Sequence, residues 1–500
     1  MVLNVYNSLT RGLEEFKPVS GNSKVGMYVC GMTVYAPTHI GHARTYVAFD
    51  IIRNYLQYRG YGVTYVQNVT DVNDKIDAAA AVVGEDPIEY ARRYTEICLG
   101  SLDRLGVGRA DVYPKVTCEM DAIIGFIKRI IGNGHAYESG GDVYFDVPGF
   151  SGYGGLSGQN VDELNAGARV EPGEKKRSPL DFALWKAAKP NEPNWDSPWG
   201  AGKPGWHIEC SAMATKYLGE SFDIHGGGRD LIFPHHENEA AQSMAATGKP
   251  FVKYWMHTGF LTVEGEKMSK SLGNTINLDE LLKAQDPETV RFFYALTHYR
   301  SPIDFTGKGL DDAKKGIERI YRARDALEAS AGGSPQSGGI EGKEPKTPSD
   351  RYVREIDDYV RGFEEAMDND FGTPEAIARL FEFVTATNRY LSGGGVVAAV
   401  AAKAFEALEK TGRVLTLFTK ERNAPGVPDA SKAVLKTLLS ENGRLAGENV
   451  EELMSALITL REDARKSRKW ALSDRIRDEL KRAGFEIQDT KEGTNWRYAG

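Results

Sequence analysis

The segment from Met32 to His42, which reads Met-Thr-Val-Tyr-Ala-Pro-Thr-His-Ile-Gly-His, lies between two different hydrophobic patterns. An apolar, strand-like run from Val25 to Val29 precedes it, and a helical pattern from Ala43 to Tyr58 follows it. This order predicts a strand, a turn and a helix, with His39 and His42 near the helix N-terminus. The unpaired backbone N–H groups and the positive dipole end of a helix favour a phosphate at that place. The turn therefore predicts a nucleotide site.

The residue types in this turn suit phosphate chemistry. Two imidazoles three residues apart can donate to charge that develops on a phosphate, and Gly41, which lacks a Cβ, lets a flat base lie against the backbone. A second polar segment, Glu266-Lys-Met-Ser-Lys-Ser271, carries Lys267 and Lys270, which could close over a triphosphate. Taken singly, a His-x-x-His pair is more often a surface or metal-ligand pair, and a lysine-rich loop is usually solvated. In this order and at this separation, the two segments resemble the HIGH and KMSKS signatures of class I aminoacyl-tRNA synthetases.

The pattern of elements predicts an α/β fold. Strand-like runs such as Gly62 to Gln67 alternate with helical runs such as Phe49 to Tyr58, which is typical of a parallel sheet covered by helices. A less regular stretch rich in Gly and Pro, residues 131–200, interrupts the pattern as an insertion. We expect a Rossmann-like, doubly wound sheet with ATP beyond the carboxyl ends of its strands. The chain has no P-loop, no clean G-x-G-x-x-G and no G-x-S-x-G, which argues against competing phosphate-binding and hydrolase folds.

A second group of residues could hold a metal ion. Cys30, Cys210 and the run Phe233-Pro-His-His-Glu-Asn-Glu239 combine thiol, imidazole and carboxylate side chains. If the run after Pro234 is helical, His235 and Glu239 lie one turn apart on one face, and zinc accepts all three ligand types. The alternative is that the cysteines are ordinary buried residues and that His235 lines a core. No C-x-x-C pair is present, so spacing alone leaves both interpretations open.

Much of the chain resembles the cysteinyl-tRNA synthetases, with a match that runs from the N-terminus to Trp496. The resemblance is carried by the stretches Met27–Tyr35, Asn68–Lys75, Pro204–Met213 and Phe222–Asp230. It implies that Cys30, Cys210, His235 and Glu239 bind one zinc ion, which receives the thiolate of substrate cysteine. It also implies an amino-acid pocket and an ATP site. The implied amino-acid pocket contains Gly31, Thr70 and Trp206, although Trp206 could equally be a core aromatic. The implied ATP-binding residues are Thr38, His39, Gly41, His42, Asp230, Lys267, Ser269 and Lys270.

The length and composition of the chain limit the number of domains and the classes of protein to which it can belong. Five hundred residues predict two to four domains, and 41% hydrophobic with 26% charged residues is typical of a globular chain. No apolar run approaches the roughly 20 residues that span a bilayer, and the first residues lack the pattern of a signal peptide. Four cysteines do not form a disulfide scaffold at this length. We therefore expect a soluble cytoplasmic protein without a membrane partner. A monomer is expected as well, although nothing in the composition bears on the oligomeric state.

The remainder of the chain predicts helices and a basic end. Beyond Gly307 the pattern is helical, with Thr373 as N-cap of a helix whose apolar face is core, and 330–350 forms a flexible excursion. Although the net charge is −8, Arg461 to Arg482 holds nine Lys and Arg against five Asp and Glu. A charge run is usually a solvated face. Here, however, Ala471–Leu480, Phe485–Asp489 and Gly493–Arg497 resemble the anticodon-binding region of the same family, where Arg and Trp suit contacts with splayed bases.

These observations predict five regions. Residues 1–130 and 201–306 form the two halves of the catalytic domain, and 131–200 forms a connective insertion. Residues 307–424 form a helical bundle domain and 425–500 form a small α+β domain; the family resemblance implies that the first contacts the tRNA stem and the second binds the anticodon.

The expected activity is ATP-dependent formation of cysteinyl-adenylate and transfer of cysteine to tRNA(Cys). His39, His42, Lys267 and Lys270 are the expected catalytic residues, with Mg²⁺ accompanying ATP. Zinc separates cysteine from serine at the binding step, so no editing site is expected. Two alternatives remain. The mycothiol-pathway ligase, which joins cysteine to an amino sugar, shares both signatures and the metal ligands but needs no anticodon-reading unit. A non-catalytic synthetase paralogue would have no need of the signature histidines and lysines.

Overall fold

The computed structural model describes residues 2–160, 175–190, 192–268, 274–332, 347–418, 429–442, 450–490 and 493–498. Two compact units are present, residues 1–419 and 420–500, and each is described by itself. The predicted excursion at 330–350 lies largely outside the described residues. None of the described helices combines the length and the apolar content that crossing a membrane requires.

The first unit contains thirteen described strands and twelve described helices. The strands are β1 (Asn4–Asn7), β2 (Gly12–Glu15), β3 (Lys24–Val29), β4 (Gly62–Gln67), β5 (Ala136–Ser139), β6 (Asp142–Phe145), β7 (Phe182–Ala187), β8 (Gly202–Pro204), β9 (Phe222–Gly228), β10 (Val252–Thr258), β11 (Leu261–Val263), β12 (Glu266–Lys267) and β13 (Ile303–Phe305). The helices are α1 (Ile40–Tyr58), α2 (Asp74–Val83), α3 (Pro87–Leu105), α4 (Met120–Gly132), α5 (Trp206–Leu218), α6 (Glu237–Thr247), α7 (Leu278–Ala284), α8 (Pro287–Ala295), α9 (Gly307–Ala331), α10 (Pro348–Asp368), α11 (Thr373–Ser392) and α12 (Ala398–Val414).

The central sheet is parallel, as the alternating pattern predicts. Its strand order is β10-β9-β3-β4, and all three pairings are parallel. From β3 the chain crosses through α1 to β4 on one side, whereas β9 and β10 build the other side. The order therefore changes direction between β3 and β9, and the carboxyl ends of those two strands flank a switch point, where ligands bind in folds of this class.

The residues between the two halves form a sheet of their own. Strands β5 to β8 pair antiparallel in sequence order, so the stretch that reads as irregular in the sequence holds a four-stranded antiparallel sheet. Gly140 and Gly141, which both have positive φ, form the two-residue turn between β5 and β6. Some of the glycines that make this stretch look irregular in the sequence therefore form the turn between two of its strands.

A small sheet and a helical bundle follow the second half. Strand β11 pairs antiparallel with β12 and parallel with β13. Helices α9 to α12 then pack together, and the rings of Tyr359 and Phe383 stack at 4.2 Å between α10 and α11. The prediction that Thr373 caps α11 is wrong by one residue. The carbonyl of Gly372 accepts the first helical hydrogen bond, from Ala376, so Gly372 is the N-cap and Thr373 begins the helix.

The second unit is a small α+β body, as predicted. It contains α13 (Asp429–Glu441), α14 (Val450–Lys466), α15 (Trp470–Arg482) and the antiparallel hairpin of β14 (Phe485–Thr490) and β15 (Gly493–Tyr498). Its core is largely aliphatic and includes Leu435, Leu453, Leu457, Ile476 and Leu480. With its own core, this unit can be considered separately from the catalytic sheet.

Candidate active site

A cavity of about 420 Å³ lies at the switch point of the parallel sheet. Its wall is formed by residues that follow β3, β9, β10 and β12, together with residues at the starts of α1, α2 and α5. They include Cys30, Gly31, Thr33, Tyr35, His39, Gly41, His42, Lys75, Trp206, Gly228, Asp230, Gly259, Phe260 and Met268. The cavity thus joins the first histidine motif to residues more than two hundred positions later in the chain.

His39 is the N-cap of α1. Its Nδ1 accepts hydrogen bonds from the backbone N–H groups of Gly41, at 3.1 Å, and His42, at 3.3 Å. The two imidazoles stack with their ring centroids 3.6 Å apart. Because Nδ1 accepts, the His39 ring is oriented by the helix end, and the pair forms a fixed wall of the cavity.

The second motif approaches the first at Gly41. A Cβ placed on Gly41 would lie 3.0 Å from Cε of Met268, so a side chain at this position would press against the Lys267–Lys270 segment. The backbone of Lys267 belongs to β12, but Ser269 and Lys270 lie outside the described residues. The structure therefore brings Met268 to the cavity and leaves the placement of the two lysine side chains as a prediction.

The four predicted metal ligands converge. Ligand atoms of Cys30, Cys210, His235 and Glu239 all lie within 4.8 Å of one another, and all four residues are buried. The two Sγ atoms are 3.9 Å apart, and Nε2 of His235 lies 3.7 Å from Cys210 Sγ and 3.0 Å from Glu239 Oε1. Cys30 follows β3, Cys210 lies on α5, His235 lies in a π-helical turn (Ile232–His236), and Glu239 lies in the first turn of α6.

An overlapping set of Cys30, His225, His236 and Glu239 meets the same distance criterion. The orientation of Glu239 favours the first set. Its Oε1 faces Cys30, at 3.5 Å, and His235, at 3.0 Å, whereas its Oε2 bonds Nε2 of His225 at 2.7 Å. His225 thus acts as a hydrogen-bond partner of Glu239, an arrangement typical of residues that orient metal ligands. His236 bonds His257 through Nδ1, at 2.8 Å, and its Nε2 lies 3.3 Å from Sγ of Cys30, so this imidazole borders the first set.

Two members of the set, Cys210 and Glu239, favour their negatively charged forms. The hydrogen bond from Cys30, supported by His235, lowers the pKa of Cys210 to about 6, while burial raises the pKa of Cys30. Burial alone would raise the pKa of Glu239, but His225 and His235 outweigh it and hold this pKa well below its usual range. Burial opposes the charge on His235, yet Glu239 raises its pKa to about 10. Two sulfurs, an imidazole and a carboxylate in this proximity fit zinc.

The remaining predicted residues divide into two groups. Gly31, Trp206 and Asp230 line the cavity, and Trp206 is 38% exposed. Thr70 and Thr38 are buried instead. Thr70 donates to Glu209 Oε2 at 3.2 Å, and Thr38 contacts Met32 and the carbonyl of Cys98. The close approach of Asn68 requires a glycine at position 31, since an added Cβ would overlap the Asn68 carbonyl oxygen.

Sequence reasoning missed the extent of the histidine cluster. His207, His225, His236 and His257 surround His235 and Glu239, so five of the nine histidines lie together. Burial lowers the pKa of His236 and, to about 3, that of His257, which favours neutral rings that donate and accept one hydrogen bond each. Tyr35 and Lys75 also line the cavity, with the ammonium 5.4 Å from the ring centroid. The one available signal was the concentration of histidines between positions 207 and 257.

The second unit carries an exposed aromatic side chain next to basic residues. Trp470, the first residue of α15, is 57% exposed and follows Arg468 and Lys469 in the sequence. In contrast, Trp496 packs edge-to-face on Phe485, with ring centroids 5.8 Å apart, and is partly buried against the aliphatic core. Of these two tryptophans, Trp470 presents the ring available for stacking.

Comparison with known families covers most of the chain. Residues 15–315 match the family model described as tRNA synthetases class I (C) catalytic domain. Residues 362–419 match the DALR domain, and residues 450–497 match the cysteinyl-tRNA ligase anticodon binding domain.

Relatives match the chain along its whole length. The cysteine–tRNA ligase of Thermococcus gammatolerans is 48% identical over 501 residues, which are 99% of both chains. That of Heliobacterium modesticaldum is 47% identical over 501 residues, covering 100% of both. Among solved structures, Mycobacterium tuberculosis methionyl-tRNA synthetase in complex with methionyl-adenylate has a TM-score of 0.57 at 16% identity, covering 78% of this chain and 89% of that chain. That structural likeness supports the fold alone.

Proposed function

This chain belongs to the cysteine–tRNA ligase family of class I aminoacyl-tRNA synthetases, and we propose that it activates L-cysteine with ATP and transfers it to the 3′ end of tRNA(Cys). The single observation that carries the proposal is the shared position of Cys30. It belongs to the convergent ligand set and also lines the cavity that His39 and His42 bound. A thiol-binding site and a phosphate-binding helix end thus open onto one space.

Cys30, Cys210, His235 and Glu239 would hold one zinc ion. When bound, zinc supplies a thiophilic Lewis acid that favours a sulfur ligand over a hydroxyl. The chain's own residues shape the rest of the amino-acid pocket. Gly31 permits the backbone to approach Asn68, and Trp206, whose ring centroid lies 4.5 Å from that of His235, covers one side. Thr70, which is held by Glu209 and Asn68, supports this wall from beneath.

ATP binds between the two motifs in this proposal. The cysteine carboxylate oxygen attacks the α-phosphorus, the bond to the β-phosphate breaks, and pyrophosphate leaves with Mg²⁺. His39 and His42 stabilise the charge that develops on the α-phosphate, and Lys267 and Lys270 neutralise the triphosphate. Ser269 belongs to the same proposed site, whereas Thr38 is buried and does not line the cavity, so it would support the site without contacting ATP. Gly41 and Asp230 line the cavity and would lie near the adenosine.

The second unit is proposed to bind the tRNA. The excess of basic residues between Arg461 and Arg482 suits phosphate contacts, and the exposed ring of Trp470 suits stacking on an unpaired base. In the transfer step, a hydroxyl of the terminal ribose attacks the adenylate carbonyl and AMP leaves. A ligase for a small amine would need no such unit, so the match at residues 450–497 disfavours the amino-sugar alternative.

The test is cysteine-dependent exchange of pyrophosphate into ATP, followed by charging of tRNA(Cys). We expect exchange without tRNA and cysteinyl-tRNA when tRNA is added. Exchange without any tRNA charging, together with cysteine transfer to an amino sugar, would contradict the proposal in favour of the small-amine ligase. Absence of exchange by folded, zinc-loaded protein would contradict cysteine activation altogether.

A further inference from the structure

Arg44 is a buried cation on the helix that begins with the histidine motif. It lies on α1, two residues after His42, and is only 3% exposed. Its guanidinium donates to backbone carbonyl oxygens. Nη1 bonds Gly259, at 2.9 Å, and Phe260, at 2.6 Å, while Nη2 bonds Ser301 and lies 3.5 Å from the oxygen of Tyr299. One side chain thus holds four carbonyl groups from two chain segments.

These two segments form the base of the small sheet that carries the second motif. Gly259 and Phe260 connect β10 to β11, and Ser301 precedes β13. Backbone bonds from Gly259 to Tyr299, at 2.8 Å, and from Ile303 to Phe260, at 3.0 Å, join the segments. Since β11 pairs with β12, whose backbone includes Lys267, the base contacted by Arg44 is also the base of β12.

The charge on Arg44 is held by dipoles. In the described part of the chain, Arg44 forms no ion pair with a carboxylate, and burial lowers its pKa to about 10, which leaves it protonated at neutral pH. A planar guanidinium can donate to several carbonyls in fixed directions, whereas a lysine ammonium is a compact charge on a flexible stem. The geometry of the carbonyls therefore depends on an arginine at this position.

We propose that Arg44 is a positioning residue that sets the β11–β12 hairpin against the N-terminal end of α1, where His39 and His42 lie. This role rests on the proposed adenylation reaction. It adds a residue that acts through backbone groups and does not touch the substrate. Its effect should appear in the rate of adenylate formation and not in cysteine binding, since the zinc-ligand set is built from other segments.

The test compares Arg44→Lys with Arg291→Lys in the full-length, zinc-loaded protein. Arg291 is a matched control, since it is also buried and donates to backbone carbonyls, those of Leu105 and Thr416, which do not line the cavity. Pyrophosphate exchange is measured with its KM values and corrected for the folded fraction. We expect Arg44→Lys to lower kcat by about 10- to 100-fold, since a misplacement of about 1 Å can cost about 100-fold. Its cysteine KM and zinc content should stay within about twofold of wild type, and Arg291→Lys should keep kcat within about threefold.

Gly259→Ala provides a second, independent perturbation of the same junction. An added Cβ would overlap the carbonyl oxygen of Ser301, which Arg44 also contacts, so the same loss of kcat is expected. If either folded variant of the junction retains wild-type kcat, or if the two arginine variants lose activity equally, the role of Arg44 is overturned. If the wild-type protein shows no cysteine-dependent exchange, the proposed function itself is contradicted. This outcome differs from the one that overturns the role of Arg44.

Discussion

Glu239 divides its carboxylate between two sides, with Oε2 2.7 Å from Nε2 of His225 and Oε1 3.0 Å from Nε2 of His235 and 3.5 Å from Sγ of Cys30. His225 lies on β9 and Glu239 in the first turn of α6, so the sheet itself orients the carboxylate. This contact leaves one oxygen directed at the thiol pair. It explains why a buried carboxylate can serve a metal site without its second oxygen being left unpaired.

Removal of this support should weaken metal binding. His225→Gln is expected to lower zinc affinity by about 10- to 100-fold, the range typical of residues that orient metal ligands. Competition with a chromophoric chelator measures the affinity. His135→Gln is the control, because His135 packs edge-to-face on Phe150, outside the ligand cluster. Wild-type zinc retention by His225→Gln would show that Glu239 needs no such support.

Metal content should be one zinc per chain and should depend on Cys210. Two thiolates, an imidazole and a carboxylate form a tight site, so elemental analysis after extensive dialysis should find one equivalent. Cys210→Ser should lose the metal and raise the KM for cysteine together. Cys118→Ser, which changes an exposed cysteine, should leave both unchanged. Cysteine activation at full rate by zinc-free protein would refute the assignment.

Serine should be a poor substrate even without proofreading. Its hydroxyl is a harder ligand than a thiolate and ionises far less readily, so activation is expected to be orders of magnitude slower than with cysteine. The measurement is pyrophosphate exchange with each amino acid, followed by ATP consumption with serine and tRNA(Cys). Rapid tRNA-dependent ATP consumption with serine would reveal an editing reaction.

Lys270→Ala should slow adenylate formation more than it weakens cysteine binding. The lysine is proposed to act on charge that is greatest in the transition state, so kcat for exchange should fall while the cysteine KM changes little. Lys283→Ala, at an exposed lysine paired with Glu280 on α7, is the control. A change confined to the cysteine KM would instead assign this segment to amino-acid binding.

Truncation near Gly426 should separate the two half-reactions. The second unit has its own core, so its removal should preserve pyrophosphate exchange and greatly reduce tRNA charging. Phosphate contacts supply part of the affinity, so the defect should appear as a raised, salt-sensitive tRNA KM. Trp470→Ala in the full chain should reproduce part of this effect. A folded truncation that charges tRNA at full rate would remove the basis for the anticodon assignment.

The local parts of the fold were predictable from sequence. The strand pattern at Gly62 to Gln67 coincides with β4, and the turn before α1 lies where the pattern changes from strand to helix. The cap at Thr373 was wrong because Thr is a favoured N-cap residue, but Gly372 supplies the carbonyl. Local preference therefore placed the helix but not its first residue.

The site was predictable only in part, because its members meet through the tertiary fold. Cys30, which follows β3, and Cys210, which lies on α5, approach to 3.9 Å only in the folded chain, and no spacing in the sequence encodes that approach. The resemblance to a family supplied the ligand set, which the structure then brought together. The support from His225 and the role proposed for Arg44 depend on hydrogen bonds between distant segments, which no local pattern reports.

The four predicted zinc ligands come from both sides of the inserted sheet in the sequence. Cys30 comes before the inserted sheet, whereas Cys210, His235 and Glu239 come after it. Closing the loop between the two cysteines, which are 180 positions apart, costs an unfolded chain about 5 kcal/mol of entropy. A metal ion that binds only when both ends have met adds to the free energy of unfolding by mass action. Bound zinc would therefore stabilise the association of the two halves of the catalytic domain. Its loss would destabilise that association as well as the pocket between the halves.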